Sequence, residues 1–163
     1  MHYYTLNMVP GVKLSDEAMK SICVPRVELG THITMKMSQA FTVLGVGLIG
    51  PMVAVVKGNQ DLKGITQSSF ACGHFGLMAG LTLGPVSAGA FMWNKSKDAI
   101  YDRCYRLRSN KNQLRVDQLS ILGTLAGVGI AYHFGDVLEK GAVFGLAGGC
   151  LLGGFVNQVL RML

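Results

Sequence analysis

Charged residues are scarce in this chain, and four long stretches contain none at all. Only 15% of the 163 residues are Asp, Glu, Lys or Arg, whereas 50% are hydrophobic. The uncharged stretches are residues 37–56, 64–94, 119–135 and 141–160. Runs of this length and composition are not typical of a soluble domain and indicate a protein that crosses a membrane several times.

The sequence also lacks the short motifs of several enzyme classes. It contains no GxSxG nucleophile turn, no HExxH zinc motif and no phosphate-binding GxxxxGK[ST] loop. The cysteines form no CxxC pair, so their spacing predicts no metal site; they are Cys23, Cys72, Cys104 and Cys150. Because no nucleophile–base pair can be assigned either, we predict a non-enzymatic protein without a catalytic residue, metal or cofactor.

The N-terminal part has no features of a secretory signal. Residues 1–14 lack a charged start, a long apolar run and a small-residue cleavage site. Acidic residues such as Asp16 also distinguish this part from an Arg-rich mitochondrial presequence. We therefore expect residues 1–36 to form a surface segment, with a short helix that is capped by Ser15 and ends before Pro25.

Glycine, by contrast, is abundant: the chain has 22. In the last uncharged stretch, residues 141–160, glycines recur every four residues and therefore share one face of a helix. Each would cost about 1 kcal/mol relative to alanine in a soluble helix. In lipid, such a face lets a second helix backbone approach closely. The glycines predicted to pack helices are Gly76, Gly80, Gly84, Gly123, Gly127, Gly141, Gly145, Gly149 and Gly153.

These patterns predict an all-α membrane protein, a four-transmembrane-helix bundle with glycine-rich helix–helix packing. A stretch such as 141–160 would extend about 30 Å as a helix, the thickness of a bilayer's hydrocarbon core. The transmembrane domain covers residues 37–160, and its predicted spans are 37–56, 70–93, 119–135 and 141–160. No charged residue is expected deep inside a span, which argues against an ion-coupled transporter.

The connector at residues 95–117 is strongly basic, because seven Lys or Arg oppose three Asp. It is predicted either to continue the second span or to form a short surface helix. Its cations would contact acidic phospholipids such as cardiolipin or an acidic partner, or they would simply be solvated. Nucleic acid is not an expected partner, since the connector is tethered between two spans. The cations concerned are Lys95, Lys97, Arg103, Arg106, Arg108, Lys111 and Arg115.

The second and third spans and their connector carry a family resemblance. Ala88 and Phe91 match a small-xx-aromatic opening, and Asp117 precedes the glycine-rich third span. Either Arg103 or Arg115 matches the family's loop arginine, as if the connector contained an insertion. In these residues the chain resembles the mitochondrial inner-membrane translocase family, also called the preprotein and amino acid transporter family. The string DQLSILGTLAG, residues 117–127, most resembles this family's four-helix accessory subunit of respiratory complex I.

The resemblance implies a location and a role. The expected location is the mitochondrial inner membrane, with several membrane passes. The expected role is that of a non-catalytic accessory subunit of NADH:ubiquinone oxidoreductase, which supports electron transport by stabilising the membrane arm. Its partners would be other membrane-arm subunits and, in a respiratory-chain supercomplex, complex III. A component of an inner-membrane protein translocase is the alternative. A nearby arginine is expected to pair with Asp117 and fix the connector.

Overall fold

The computed structural model describes Ser15, Glu17 and residues 20–162, and within this part of the chain it is helical with no strand. A π-helical turn, Gly45–Ile49, joins the first two helices into one continuous rod. The α-helices are α1 Pro25–Leu44, α2 Gly50–Val56, α3 Leu62–Met92, α4 Lys97–Ser109, α5 Lys111–Phe134 and α6 Leu138–Met162. Residues 1–14, in which no secretory signal is predicted, lie outside the described residues, and so does Asp16.

Four helical segments are long and apolar enough to cross a membrane: Pro25–Val56, α3, α5 and α6. The all-helical fold and the number of candidate spans are therefore confirmed. Three helices begin well before the predicted spans, because α1 starts at Pro25, α3 at Leu62 and α5 at Lys111. These earlier starts bring charged residues into long helices, among them Lys36 and Asp117. Both residues lie outside the predicted spans, so the helices are longer than the charge-free stretches and carry charged residues at their ends.

Pro25 begins α1, although in the sequence it was predicted only to end the short N-terminal helix. It occupies the first turn of α1, where a missing backbone N–H leaves no intrahelical bond unmade. Glu17 and Lys20 are helical, but Ser21 is not, so the short N-terminal helix does end before Pro25. Residues 25–36 of the predicted surface segment are helical and continuous with the first long helix, because they belong to α1.

Pro51 lies at the start of α2, directly after the π-helical turn. A proline in a helix removes one backbone hydrogen bond and clashes with the carbonyl four residues earlier. Here the Gly50 N–H reaches back to the Gly45 carbonyl, a wider loop than in an α-helix. The rod thus accommodates Pro51 by widening one turn, while α3 continues through Pro85.

The turns between helices carry well-defined caps. Asp61 accepts a hydrogen bond from the Gly64 N–H at the start of α3, and Ser96 accepts one from the Ala99 N–H at the start of α4. Asn110 separates α4 from α5 and accepts from the Gln113 N–H. Gly135 ends α5 with φ of +67°, a left-handed conformation that favours glycine. These caps fix where the polypeptide reverses direction.

The long helices form two closely packed pairs. The rod of α1 and α2 packs along α3, and α5 packs along α6; α6 also contacts α1 and α3 and so joins the pairs. The connector helix α4 lies against the beginning of α1. There Leu29, Ile100 and Cys104 are at most 1% exposed and form a small hydrophobic core with Ile22. Of the two alternatives for the connector, the separate short helix is the one observed.

Candidate functional site

Two buried ion pairs occupy the end of the bundle that carries α4. One joins Glu28 of α1 to Arg108 of α4, and the other joins Lys36 of α1 to Asp117 of α5. Both therefore tie the first helix to the connector region. We call this part the connector end, and it is our candidate functional site because buried charges in an apolar bundle are costly unless they have a use.

The Glu28–Arg108 pair is bidentate and almost completely buried. Arg108 Nε donates to Glu28 Oε1 at 2.7 Å, and Nη2 donates to Oε2 at 2.5 Å. The two side chains are 0% and 6% exposed, respectively. The hydrogen bond to Glu28 raises the pKa of Arg108, which keeps its guanidinium charged. Removal of Arg108 would leave the buried Glu28 carboxylate without its bidentate partner.

Cys104 lies next to this pair on α4. Its Sγ donates a hydrogen bond to the Pro25 carbonyl oxygen at 3.2 Å, and its side chain is fully buried. Burial raises the pKa of the Cys104 thiol to about 11. The thiol is therefore neutral at physiological pH and acts as a packing group and weak donor, not as a nucleophile. All four cysteines are free thiols in the structure.

Asp117 is the centre of the second polar cluster. Its carboxylate is fully buried and accepts from Lys36 Nζ and, at 3.2 Å, from Gln39 Nε2. Gln39 also donates to Ser120 Oγ at 2.8 Å, and Ser120 donates to the Asp117 carbonyl at 2.8 Å. Lys36, on another helix, is thus a charged donor to Asp117, and the predicted pairing of Asp117 with a nearby arginine stays a prediction. Arg115 contacts Asn157 of α6.

Both clusters are arranged to hold helices together. Lys36 is 26% exposed, so only its end of the second pair reaches the surface. Among the described residues, no group of three His, Cys, Asp or Glu side chains is placed to hold a metal ion. The observed contacts at this end are ion pairs and hydrogen bonds between helices α1, α4 and α5.

The predicted lipid or partner contacts fall into different environments. Arg108, one of the residues predicted to contact lipid or a partner, is buried within the chain and pairs with Glu28. Arg106 pairs with Asp102 at 2.5 Å on the exposed side of α4, in the predicted i, i+4 arrangement. Arg103 lies over the Phe91 ring, with its guanidinium carbon 4.7 Å from the ring centroid. The remaining exposed cations of this region are Lys95, Lys97 and Lys111.

The residues of the family signature do not form a single cluster in the structure. Ala88 is 2% exposed at the packed face of α3. Phe91 and Arg103 contact each other, whereas Asp117 belongs to the cluster around Lys36. The structure thus brings the aromatic residue and the first candidate arginine together, and places Arg115 against α6.

The glycines predicted to pack helices line the interiors of the two helix pairs. A Cβ atom at any of the nine would fall within 3.0 Å of an atom of another helix. For Gly149 that atom is the Leu119 carbonyl oxygen, and for Gly80 it is the Ser38 Cα. By contrast, a Cβ at Gly148 or Gly154 would meet nothing within 4 Å. The close approach depends on which glycine faces the neighbouring helix.

Sequence reasoning missed the α1 side of the connector end. Glu28, His32 and Lys36 recur every four residues and therefore follow one face of α1. All three have low exposure or a buried partner, and Gln39 continues the same face. This spacing was available as a signal, because it matches the spacing that identified the glycine faces. It was overlooked because these residues were assigned to a surface segment and not to a helix.

The described residues define a class of helical protein with four helices long enough to cross a membrane. In this class a basic connector helix is ion-paired to the first helix. The chain belongs to DUF1757, a family described as proteins of unknown function, whose model matches residues 4–156. No curated protein matches the sequence. The family match therefore covers nearly the whole chain without assigning it an activity.

Proposed function

We propose that this chain is a multi-pass protein of the mitochondrial inner membrane that acts as a non-catalytic accessory subunit of complex I. It would stabilise the membrane arm and contribute to contacts with other complexes. The membrane part of this proposal rests on four helices of sufficient length and apolarity. The mitochondrial part rests on the sequence resemblance described above.

The observation that carries a structural role is the pairing of the buried charges. Two ion pairs connect different helices: Glu28 pairs with Arg108, and Lys36 pairs with Asp117. A proton-coupled carrier places such groups along a water-accessible path. Here they are used to fix α4 and α5 against α1, as a scaffold protein requires.

The outer surfaces of the long helices suit a subunit that is surrounded by lipid and neighbours. Only 17% to 28% of the residues in the most apolar window of each helix are buried within the chain. Phe75, Leu125 and Phe155 are among the large side chains that are at least 64% exposed. Such surfaces need apolar surroundings, which a bilayer and adjacent helices would provide.

The decisive experiment is native electrophoretic separation of mild-detergent mitochondrial membranes, with mass spectrometry of each fraction. Peptides of this chain should migrate with complex I and with its larger assemblies. Depletion of the chain should then reduce the amount of assembled membrane arm. Migration only with a smaller assembly that lacks complex I subunits would contradict the proposal.

A translocase component is the second candidate, favoured by a groove between the two helix pairs. Its wall includes the polar residues Ser38, Gln39 and Ser120 beside apolar residues such as Leu77 and Leu146. These polar side chains are at most 5% exposed, so the groove presents a mainly apolar wall, which would suit a passing hydrophobic segment. Crosslinking to an arrested precursor protein would support this candidate over the first, and its absence in an import-active membrane would exclude it.

A further inference from the structure

A small pocket with an apolar floor and a basic rim lies where α3 ends and α4 begins. Leu29 and Ile100 form its floor, and each is 1% exposed. Phe91 forms one wall, while the rim carries Lys95, Arg103 and Arg106. The lining therefore contains three cations and no carboxylate.

The pocket's cations are positioned by contacts that leave their charges available. The Arg103 guanidinium lies 4.7 Å and the Lys95 ammonium 5.8 Å from the Phe91 ring centroid. Both are held by cation–π attraction, which satisfies neither their charge nor their hydrogen-bond donors. Arg106 is different, because Asp102 already pairs with it. Lys95 and Arg103 are thus the two cations most available to an anion.

From this arrangement we propose that the pocket binds the phosphate group of an anionic phospholipid headgroup. The guanidinium of Arg103 offers a planar pair of donors that matches phosphate oxygens, and Lys95 adds a second charge. The pocket measures about 200 Å³, below the ~300–1,000 Å³ of typical small-molecule sites. It therefore suits a headgroup better than a larger metabolite.

The surroundings favour a lipid as the source of the phosphate. Trp93, two residues after Phe91, is 83% exposed at the end of α3. Tryptophan in such a position is typical of the membrane–water interface. The acyl chains would then lie along the exposed apolar surface of α3. This part of the inference rests on the proposed membrane location, whereas the phosphate chemistry of the pocket does not.

Trp93 also supplies the test, because it is the only tryptophan in the chain. The full-length protein would be reconstituted into vesicles that contain either brominated phosphatidylcholine or brominated phosphatidylglycerol at equal mole fraction. Bromine quenches a nearby tryptophan. We expect quenching by both lipids and stronger quenching by the anionic one, because it is enriched around the pocket.

Matched variants identify the site. Lys95→Gln and Arg103→Gln should each weaken the preference for the anionic lipid about fivefold, as expected for one cation near a membrane surface. Lys111→Gln removes the same charge from an exposed position that does not line the pocket, and should leave the preference nearly unchanged. All three residues are exposed or rim residues, and unchanged circular dichroism would show that the variants remain folded.

The outcomes separate the two proposals. No quenching by either lipid would contradict the membrane location, whereas equal quenching by both would overturn the headgroup site alone. An equal loss in Lys111→Gln would also overturn it, since general surface charge would then explain the preference. A parallel titration with inorganic phosphate, against chloride at equal ionic strength, distinguishes the sources. If phosphate alone removes the preference, the pocket binds the phosphate group from solution as well.

Discussion

The glycine-lined helix pairs and the connector end hold the same bundle together by opposite means. Between α5 and α6 the contact is made by backbone atoms, with Gly123 and Gly127 facing Gly141 and Gly145. At the connector end the contact is made by long charged side chains such as Arg108. Packing in the glycine-lined pairs depends on the absence of side chains, whereas packing at the connector end depends on the pairing of charged side chains. A substitution therefore has different consequences in the two regions.

The difference follows from whether each contact buries polar or charged groups. Close backbone approach gains van der Waals contact without any buried polar group, so it works at the centre of an apolar bundle. A buried ion pair must offset the desolvation of two charges, which its partners do only when the geometry is good. Such pairs specify one arrangement of helices, because a displaced partner leaves an unpaired charge. The glycine faces allow the helices to pack closely, and the ion pairs determine how the helices are placed relative to one another.

The largest effect is expected when a glycine face is filled. Gly149→Leu should destabilise the bundle by about 5 kcal/mol or more, because even its Cβ would overlap the Leu119 backbone. The measurement is the recovery of monodisperse, helical protein in mild detergent, together with its thermal unfolding. Gly145→Leu should behave in the same way.

The neighbouring glycine provides the control for this prediction. Gly148→Leu introduces the same side chain one residue earlier, where nothing lies within 4 Å of the added Cβ. This variant should be recovered at the wild-type level. Equal losses in Gly148→Leu and Gly149→Leu would show that helix flexibility, and not close packing, explains the glycines.

The second effect, of about 3–5 kcal/mol, is expected from breaking the Glu28–Arg108 pair. Arg108→Ala leaves the Glu28 carboxylate buried without its bidentate partner and should release α4 from α1. Thermal unfolding in detergent would measure the loss. The double variant Glu28→Leu with Arg108→Met removes both charges and should recover much of the stability.

Another arginine of the same helix gives the comparison. Arg106 pairs with Asp102 at a similar distance, but its side chain is 70% exposed. Arg106→Ala should therefore change the free energy of unfolding by less than about 1 kcal/mol. If both alanine variants lose the same stability, burial of the Glu28–Arg108 pair has no energetic consequence, and the comparison drawn above is incorrect.

A smaller loss is expected at the second cluster. Asp117→Ala should destabilise the protein by about 1.5–3 kcal/mol, the range for a hydrogen bond to a charged group. The loss is smaller than for Arg108 because Lys36, the charge left behind, is partly exposed and can be solvated. Lys36→Met in the Asp117→Ala background should then cost little. Wild-type stability and assembly of Asp117→Ala would contradict the role of this carboxylate.

Much of the fold was predictable because the apolar runs and glycine spacing are local signals. A period of four residues fixes which glycines share a face, and charge-free length fixes the number of candidate spans. Helix ends were less predictable. The start of α1 at Pro25 depends on a core with α4 that involves Leu29 and Ile100, residues about 70 positions apart in the sequence.

The connector end illustrates why pairing was harder to predict than composition. The basic connector and Asp117 were both identified, but their partners Glu28 and Lys36 lie about 80 residues earlier. Sequence spacing carries no information on which of several cations approaches a given carboxylate. Only the packing of α4 and α5 against α1 selects Arg108 for burial and leaves Arg106 in solvent.

The smallest energetic effect, and the sharpest local probe, concerns the Cys104 thiol. Because burial raises its pKa to about 11 from the ordinary 9.0, it should resist alkylation at pH 8, whereas exposed Cys23 reacts. Its contribution to stability is complete below pH 9 and declines above that pH, as the unfolded thiol ionises first. Peptide-level mass spectrometry after iodoacetamide treatment measures the labelling of each cysteine. Arg108→Ala should expose Cys104, whereas Gly148→Leu should not. Rapid labelling of Cys104 in the wild type would show that α4 is not held against α1.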